Sequence, residues 1–368
     1  MRINAAYFQV NSSRVPYFLL AFSCVTLSSC ETRRSSEVRS TRVDALERIS
    51  PTEDQEIARA VRLTEAKIEK ERRPDGVMRR DAHPKHHGCL KGSFTVQNDL
   101  PEAAKHGVFQ EARTYPVWAR VSNAGLVPNV VDDRNPDARG LAIKLLGVDG
   151  PKLKQGAESS KNMDFLMVNV PFFVADDMKE YNDQLENPAK VLTDRGGLLA
   201  KVFANRTADP LVETYFSISA FQLGDTAVKY RISPCQGERA ERILFPGTNF
   251  LRDSMTKHLS ERPACFNFEV QFFKNEIDTS VEKGTAVWEE KNAPFTPIAK
   301  LEFPKQTFDF EPRQGFCENI TFDPWLVPEG QRPLGSLNRG RREVYKAIVA
   351  KRHSANKVTF NEPNGSEP

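Results

Sequence analysis

Long apolar runs are missing from this chain. The longest, VPYFLLAFSCVTL near the N-terminus, covers about a dozen residues, too few to span a bilayer, and a mean hydropathy of −0.51 excludes a polytopic membrane protein. Charge of one sign is missing as well. Lys and Arg number 52 against 49 Asp and Glu, a net +3, so nothing global argues for nucleic acid and none is expected as a partner. There is no internal repeat and no glycine-rich nicotinamide fingerprint. Cysteine is scarce, six in 368 residues, and too widely spaced for a zinc module.

What the chain does hold is proline and phenylalanine, 24 of each. That pair indicates a β-rich domain with punctuated loops and an aromatic interior rather than a helical bundle. Arg2 and Arg14 ahead of the short apolar run read as an export signal. It ends in LSSC, residues 27–30, which resembles a bacterial lipobox, so Cys30 is the expected lipidated first residue of a periplasmic, membrane-tethered protein; simple secretion is the alternative. With Cys24 discarded and Cys30 lipidated, Cys89, Cys235, Cys265 and Cys317 remain, which an oxidising compartment lets pair in three ways.

Residues 31–79 read as a charged arm and a helix. Ile57, Val61, Leu63, Ala66 and Ile68 lie near one helical stripe, and Pro74 stops it. From about residue 80, short apolar-alternating runs follow one another: GSFTVQ, YPVWARVSN, RGLAIKLLGV, MDFLMVNVPFFVA, TYFSISAFQL, AVKYRISPC and CFNFEVQFFKN. They predict an antiparallel barrel or sandwich, with a hairpin turning at Gly224-Asp225. Helical patterns interrupt them at DDMKEYNDQLENPAK, GGLLAKVFAN and RREVYKAIVAKRH, and residues 354–368 are expected to be a flexible tail.

Three places carry chemistry. DAHPKHHGC gathers His83, His86 and His87 ahead of Cys89. Imidazole and thiolate suit zinc, but adjacent His86 and His87 side chains diverge on most backbones, so a single catalytic histidine or a solvated basic turn are the competing readings. In RREVYKAIVAKR, Arg341 and Tyr345 are four apart on one helical face, where a guanidinium favours the phenolate and a phenolate can ligate ferric haem iron. Arg352 follows two turns later, and a surface basic helix is the alternative. In YPVWARVSN, Arg120 and Ser122 share a strand face.

In this order the segments resemble the haem catalase family. RDAHP resembles the family's Arg-x-x-His-Ala motif, VWARVSNAG its propionate-arginine strand, and DARGLAIKLL its Asp-Pro-Arg-Gly segment. VNVPFF is similar to the asparagine-rich strand, TFDPWLVPEG to the Phe-Asp-Pro segment, and Arg341 with Tyr345 to the proximal Arg-x-x-x-Tyr. The resemblance covers about residues 78–353 in short blocks. It implies an α+β fold, an antiparallel β-barrel core with surrounding helices over residues 80–353, lacking the C-terminal helical domain of full-length catalases. It implies haem b, with Tyr345 as the axial ligand to iron, Arg341 beside it, and Arg80, Arg120 and Arg352 on the propionates. His83 becomes the distal acid–base residue and Ser122 its hydrogen-bond partner, while His86 and His87 become bystanders. Counting back from Pro171 puts Val168 at the family's distal asparagine, so either Asn169 serves as the catalytic asparagine by a one-residue shift or that group is missing. The implied activity is haem-dependent hydroperoxidase chemistry on hydrogen peroxide or an organic hydroperoxide, in a homo-oligomer. Two further readings stand: a lipid hydroperoxide-processing haem enzyme and a non-catalytic haem-binding lipoprotein.

Overall fold

The computed structural model describes residues 43–125, 132–237, 240 and 245–368. The expected signal at 1–30, with Cys30, and the first part of the arm lie outside the described residues.

Side chains alternate along a strand, so a run with every second residue apolar buries one face and frees the other. Among the described residues nine strands follow in chain order: β1 (His86–Val96), β2 (Thr114–Asn123), β3 (Arg139–Leu146), β4 (Asn162–Val168), β5 (Tyr215–Phe216), β6 (Phe221–Leu223), β7 (Thr226–Pro234), β8 (Ala264–Phe272) and β9 (Phe295–Phe303). β1 to β4 form a meander, β5 pairs with both β4 and β7, and β7, β8 and β9 lead back to β1. Eight antiparallel strands thus close into a barrel, with β6 attached to β7 in the predicted hairpin. Gly224 at its turn adopts φ 59°, which glycine tolerates at little cost.

The phenylalanines fill the barrel. Phe94, Phe109, Phe165, Tyr230 and Phe268 pack with ring centroids 4.9–6.3 Å apart, inside a wall of Leu, Ile and Val from the inward positions of every long strand. The aromatic richness seen in the sequence is therefore mostly core.

Among the described residues six helices surround it: α1 (Glu53–Lys70), α2 (Met178–Glu186), α3 (Ala189–Ala204), α4 (Phe250–Glu261), α5 (Glu311–Asn319) and α6 (Ser336–Asn356). α1 ends four residues before Pro74 and packs Ala60 and Ile68 against Val344 and Ile348 of α6. Arg339 of α6 grips the preceding arm through Glu47 and Glu53. None of the described helices is long and apolar enough to cross a membrane. The pattern reading missed β9, α4 and α5. The run PFTPIAKLEF looks like a loop because of its prolines, yet Pro297 sits where the β8–β9 register shifts, a bulge that tolerates its missing N–H.

Of the three pairings, the cysteines form Cys89–Cys317 and Cys235–Cys265. The tail corrects an expectation. Residues 354–356 complete α6, and the rest runs along the barrel rather than fraying. Its reason is an unusual outward lysine: Lys144 is fully buried, between Asp164 at 2.8 Å and Glu362 of the tail at 2.9 Å. Phe360 joins the apolar cluster around Trp118, and the Trp118 indole donates to Glu367 at 3.0 Å. Losing one partner of a buried, hydrogen-bonded charge is costly. Glu362→Ala is therefore expected to lower stability by about 1–3 kcal/mol in urea unfolding; an unchanged midpoint would show that the tail is not held.

Candidate active site

The inward positions of β2–β4 build the aromatic core, and the outward positions build a cavity. Ala119 and Val121 face inward, so Arg120 and Ser122 face out; Gly140 and Ala142 of β3 and Leu166 and Val168 of β4 continue that face. α6 closes the other side with Leu337, Arg341, Val344, Tyr345, Ile348 and Arg352, spaced at three or four residues so that one face of the helix looks in. About 290 Å³ between them is open to the centres of water molecules, and the walls are mainly apolar. His83, Ser122, Arg80, Arg120, Arg341, Tyr345 and Arg352, predicted from segments spread over the whole domain, all line this cavity.

His83 enters on a loop in a left-handed conformation, φ 60°, with its N–H donating to the Ala124 carbonyl at 2.9 Å. Its Nδ1 lies 3.1 Å from Ser122 Oγ. The imidazole rests against Gly140, where a Cβ would come within 2.3 Å of the ring, so this position admits only glycine. Burial, then the charges of Arg120, Arg341 and Arg80, push the His83 pKa down to about 3. The ring is neutral at physiological pH and free to take up a proton.

On α6, Arg341 donates to Tyr345 Oη at 3.2 Å and to Asn338 Oδ1 at 2.9 Å. Asn338 is itself fixed by donating to the Ala220 and Leu334 carbonyls. The guanidinium is thus locked beside the phenol oxygen.

Arg80, Arg120 and Arg352 converge at the other end of the cavity. Arg80 donates to the carbonyls of Glu318, at 2.8 Å, and Ile320; Arg120 donates to the Cys317 carbonyl at 3.3 Å; Arg352 pairs with the Glu318 carboxylate at 2.9 Å. Burial lowers the pKa of all three, bringing Arg120 to about 10, and mutual repulsion adds to the effect on Arg80 and Arg120. Glu318 is the carboxylate that opposes this repulsion at each of them. Among the described residues, Arg80 Nε and Arg120 Nη2 are buried without an acceptor. Three guanidiniums against one carboxylate leave a deficit of two negative charges. A flat apolar group carrying two carboxylates, with a metal for Tyr345, fits this donor set, and haem b is such a group.

The three histidines part company. His87 Nε2 is 2.8 Å from Asn123 Oδ1 in a buried network with Asp133, and His86 points at Glu318, 3.7 Å away. Among the described residues no three His, Cys, Asp or Glu side chains are placed to hold a metal ion, and Cys89 is in a disulfide. His86 lies beside the arginine cluster without lining the cavity. Asn169 is the clear correction. Val168 and Val170 line the cavity, whereas Asn169 alternates to the other side, accepting from the Arg139 N–H at 2.7 Å and donating to Thr207 Oγ1 at 3.3 Å. It does not serve as a second distal polar group. Glu318 was missed because its partners Arg80 and Arg352 lie 238 and 34 residues away, and no local pattern marks it.

Burial and the nearby arginines also hold His86 down to about 2, and burial holds His87 down to about 4. With unfolded values near 6.5, these three imidazoles bind more protons in the unfolded chain than in the folded one below pH 6.5. Their contribution to stability is then full above pH 6.5 and lost as pH falls, opposed in part by the buried Asp164 carboxyl, which burial pushes up to about 7. The urea midpoint of the cofactor-free protein is expected to drop steadily from pH 6.5 to 4, and a flat profile would refute neutral burial of the three imidazoles.

No protein-family model and no curated protein matched the sequence. Solved structures did. A bacterial catalase is 18% identical with a TM-score of 0.57, covering 75% of this chain and 57% of its own. A fungal catalase is 17% identical at 0.57, covering 79% and 60%. Catalase A from Saccharomyces cerevisiae is 17% identical at 0.57, covering 76% and 61%. The chain thus spans roughly three fifths of the length of these catalases. At such identities the likeness speaks for architecture, and it places this chain on the catalase fold.

Proposed function

We propose that this chain is a haem-dependent hydroperoxidase. The observation that carries the reading is the charge deficit at Arg80, Arg120 and Arg352, which the two propionates of haem b would fill while also giving Arg80 Nε and Arg120 Nη2 their missing acceptors. Tyr345 would ligate the iron, with Arg341 holding positive charge at the phenol oxygen. When bound, ferric haem would supply the two electrons that cleavage of the hydroperoxide O–O bond requires. His83 supplies the proton transfer: with Nδ1 engaged by Ser122, Nε2 takes the proton from one peroxide oxygen and delivers it to the other, so that the departing oxygen leaves as water or an alcohol. Neutrality at physiological pH makes the ring competent for the first half of that task. Export and a lipid tether at Cys30 belong to this proposal on the strength of the N-terminal residues, and assembly with further copies belongs to it through the fold.

One observation favours organic hydroperoxides beside hydrogen peroxide. Val168 stands opposite Gly140 in the β3–β4 ladder, next to the His83 ring, so the wall facing the substrate offers a methyl group rather than a donor. Hydrogen peroxide needs polar partners at both oxygens, whereas an alkyl hydroperoxide places hydrocarbon against Val168, Val170 and Phe172.

Titration of the purified protein with ferric protoporphyrin is expected to produce a Soret band that is altered and weakened in Tyr345→Phe. No band, or an identical band in the variant, would overturn the reading. In the loaded protein, His83→Ala is expected to slow hydroperoxide consumption by about 10²–10⁴-fold; a loaded wild type that consumes no hydroperoxide would make it a haem carrier. Val168→Asn is expected to shift the ratio of kcat/KM for hydrogen peroxide over cumene hydroperoxide upward by about tenfold. A ratio that does not move would remove Val168 from substrate choice.

A further inference from the structure

The acceptors that orient the arginine cluster come almost entirely from one short segment. The carbonyls of Cys317, Glu318 and Ile320 and the carboxylate of Glu318 receive Arg120, Arg80 and Arg352. This segment is the last turn of a nine-residue helix, α5, which buries only Arg313 and Cys317 fully. Such a helix has too little apolar face to fix its own position. Cys89–Cys317, whose Cα atoms are 5.4 Å apart and whose residues are both fully buried, holds it to β1 together with Arg313, which donates to the Cys89 carbonyl at 3.3 Å and lies over the Trp118 ring, and with Phe316 against Trp118 at 4.6 Å. Cys89 sits directly opposite Arg120 in the β1–β2 ladder. One covalent link therefore ties the strand rung that carries a guanidinium to the segment that supplies its acceptors. The other disulfide does nothing of the kind. Cys235–Cys265 joins neighbouring ends of β7 and β8 that already share a backbone hydrogen bond.

We propose that Cys89–Cys317 is a positioning element for the cofactor cradle: with the bond formed, the Cys317–Ile320 segment pre-orients the three guanidiniums for a dicarboxylate tetrapyrrole, and without it they lose that orientation. The inference rests on the haem reading above. It makes cofactor retention depend on the chain having been oxidised. The relevant redox step is ordinary exchange with a dithiol reductant. The dithiol gives two electrons and two protons, the protein S–S bond breaks to two thiols, and the reductant closes to its own disulfide.

Two measurements test it, both on the full chain. The first compares binding of ferric protoporphyrin with binding of its dimethyl ester, which has the same ring but no carboxylates. Wild type is expected to prefer the free acid by about tenfold or more. If it binds neither, the haem reading fails; if it binds both alike, the cradle itself is refuted. Cys89→Ser/Cys317→Ser is expected to lose most of that preference, and Cys235→Ser/Cys265→Ser to keep it. Loss of general stability would weaken acid and ester together, so an unchanged ratio in the first variant would overturn the proposal. The second uses wild type alone and does not depend on a variant folding. Because coupling is reciprocal, bound ferric protoporphyrin must protect the bond that favours it. Equilibration in buffers of reduced and oxidised dithiothreitol, then alkylation and mass spectrometry, is expected to show Cys89–Cys317 half-reduced at a several-fold higher ratio of reduced to oxidised dithiothreitol with the porphyrin present, and Cys235–Cys265 unaffected. An equal shift of both, or of neither, would overturn it.

Discussion

Three buried guanidiniums facing one carboxylate form the constraint on which the rest of this molecule turns. Arg80, Arg120 and Arg352 repel one another in a region where burial already disfavours charge, and Glu318 offsets only part of that. A fold keeps such an arrangement when something else completes it. The elements around the cluster are organised to hold the arginines against their own repulsion: Met78 and Ile320 through their carbonyls, Glu318 through its carboxylate, and the Cys89–Cys317 bond through the position of α5.

The barrel keeps two jobs apart by strand alternation. Its inside is closed by interlocking aromatic rings and supplies stability without chemistry. Its outside, over β2–β4, carries Arg120, Ser122, Gly140 and Val168 and becomes a binding surface once α6 is laid across it. Because the core is rigid, residues two apart on a strand hold their separation, and this gives His83 and Ser122 a defined geometry although 39 residues separate them. The Gly140 notch beside His83 shows how closely backbone and imidazole meet.

Much of the site was legible because its residues lie on regular elements. Arg120 with Ser122 follows from a period of two, and Arg341 with Tyr345 from a helical turn. The order of the short motifs joined them to His83 and Arg80. Asn169 misled for the same reason that Ser122 succeeded. A one-residue shift along a strand reverses the face, and the register of β4 gives the cavity to Val168. β9 hid behind its prolines, and the tail hid because nothing local reveals that Lys144 waits for Glu362.

By itself the sequence determined the β-rich class, the helical pattern of α6, the turn at Gly224, and the pairs Arg120 with Ser122 and Arg341 with Tyr345, because each depends on periodicity or on spacing within a single element; His83, Arg80 and Arg352 entered through the order of the motifs and the family they resemble. Only the tertiary structure decided the cysteine pairing, the separate environments of His83, His86 and His87, and the place of Glu318 among three arginines from three different segments. Those are contacts between residues tens to hundreds of positions apart. Closure of the barrel and the packing of α5 and α6 upon it create them, and no local pattern encodes which distant groups such packing brings within reach.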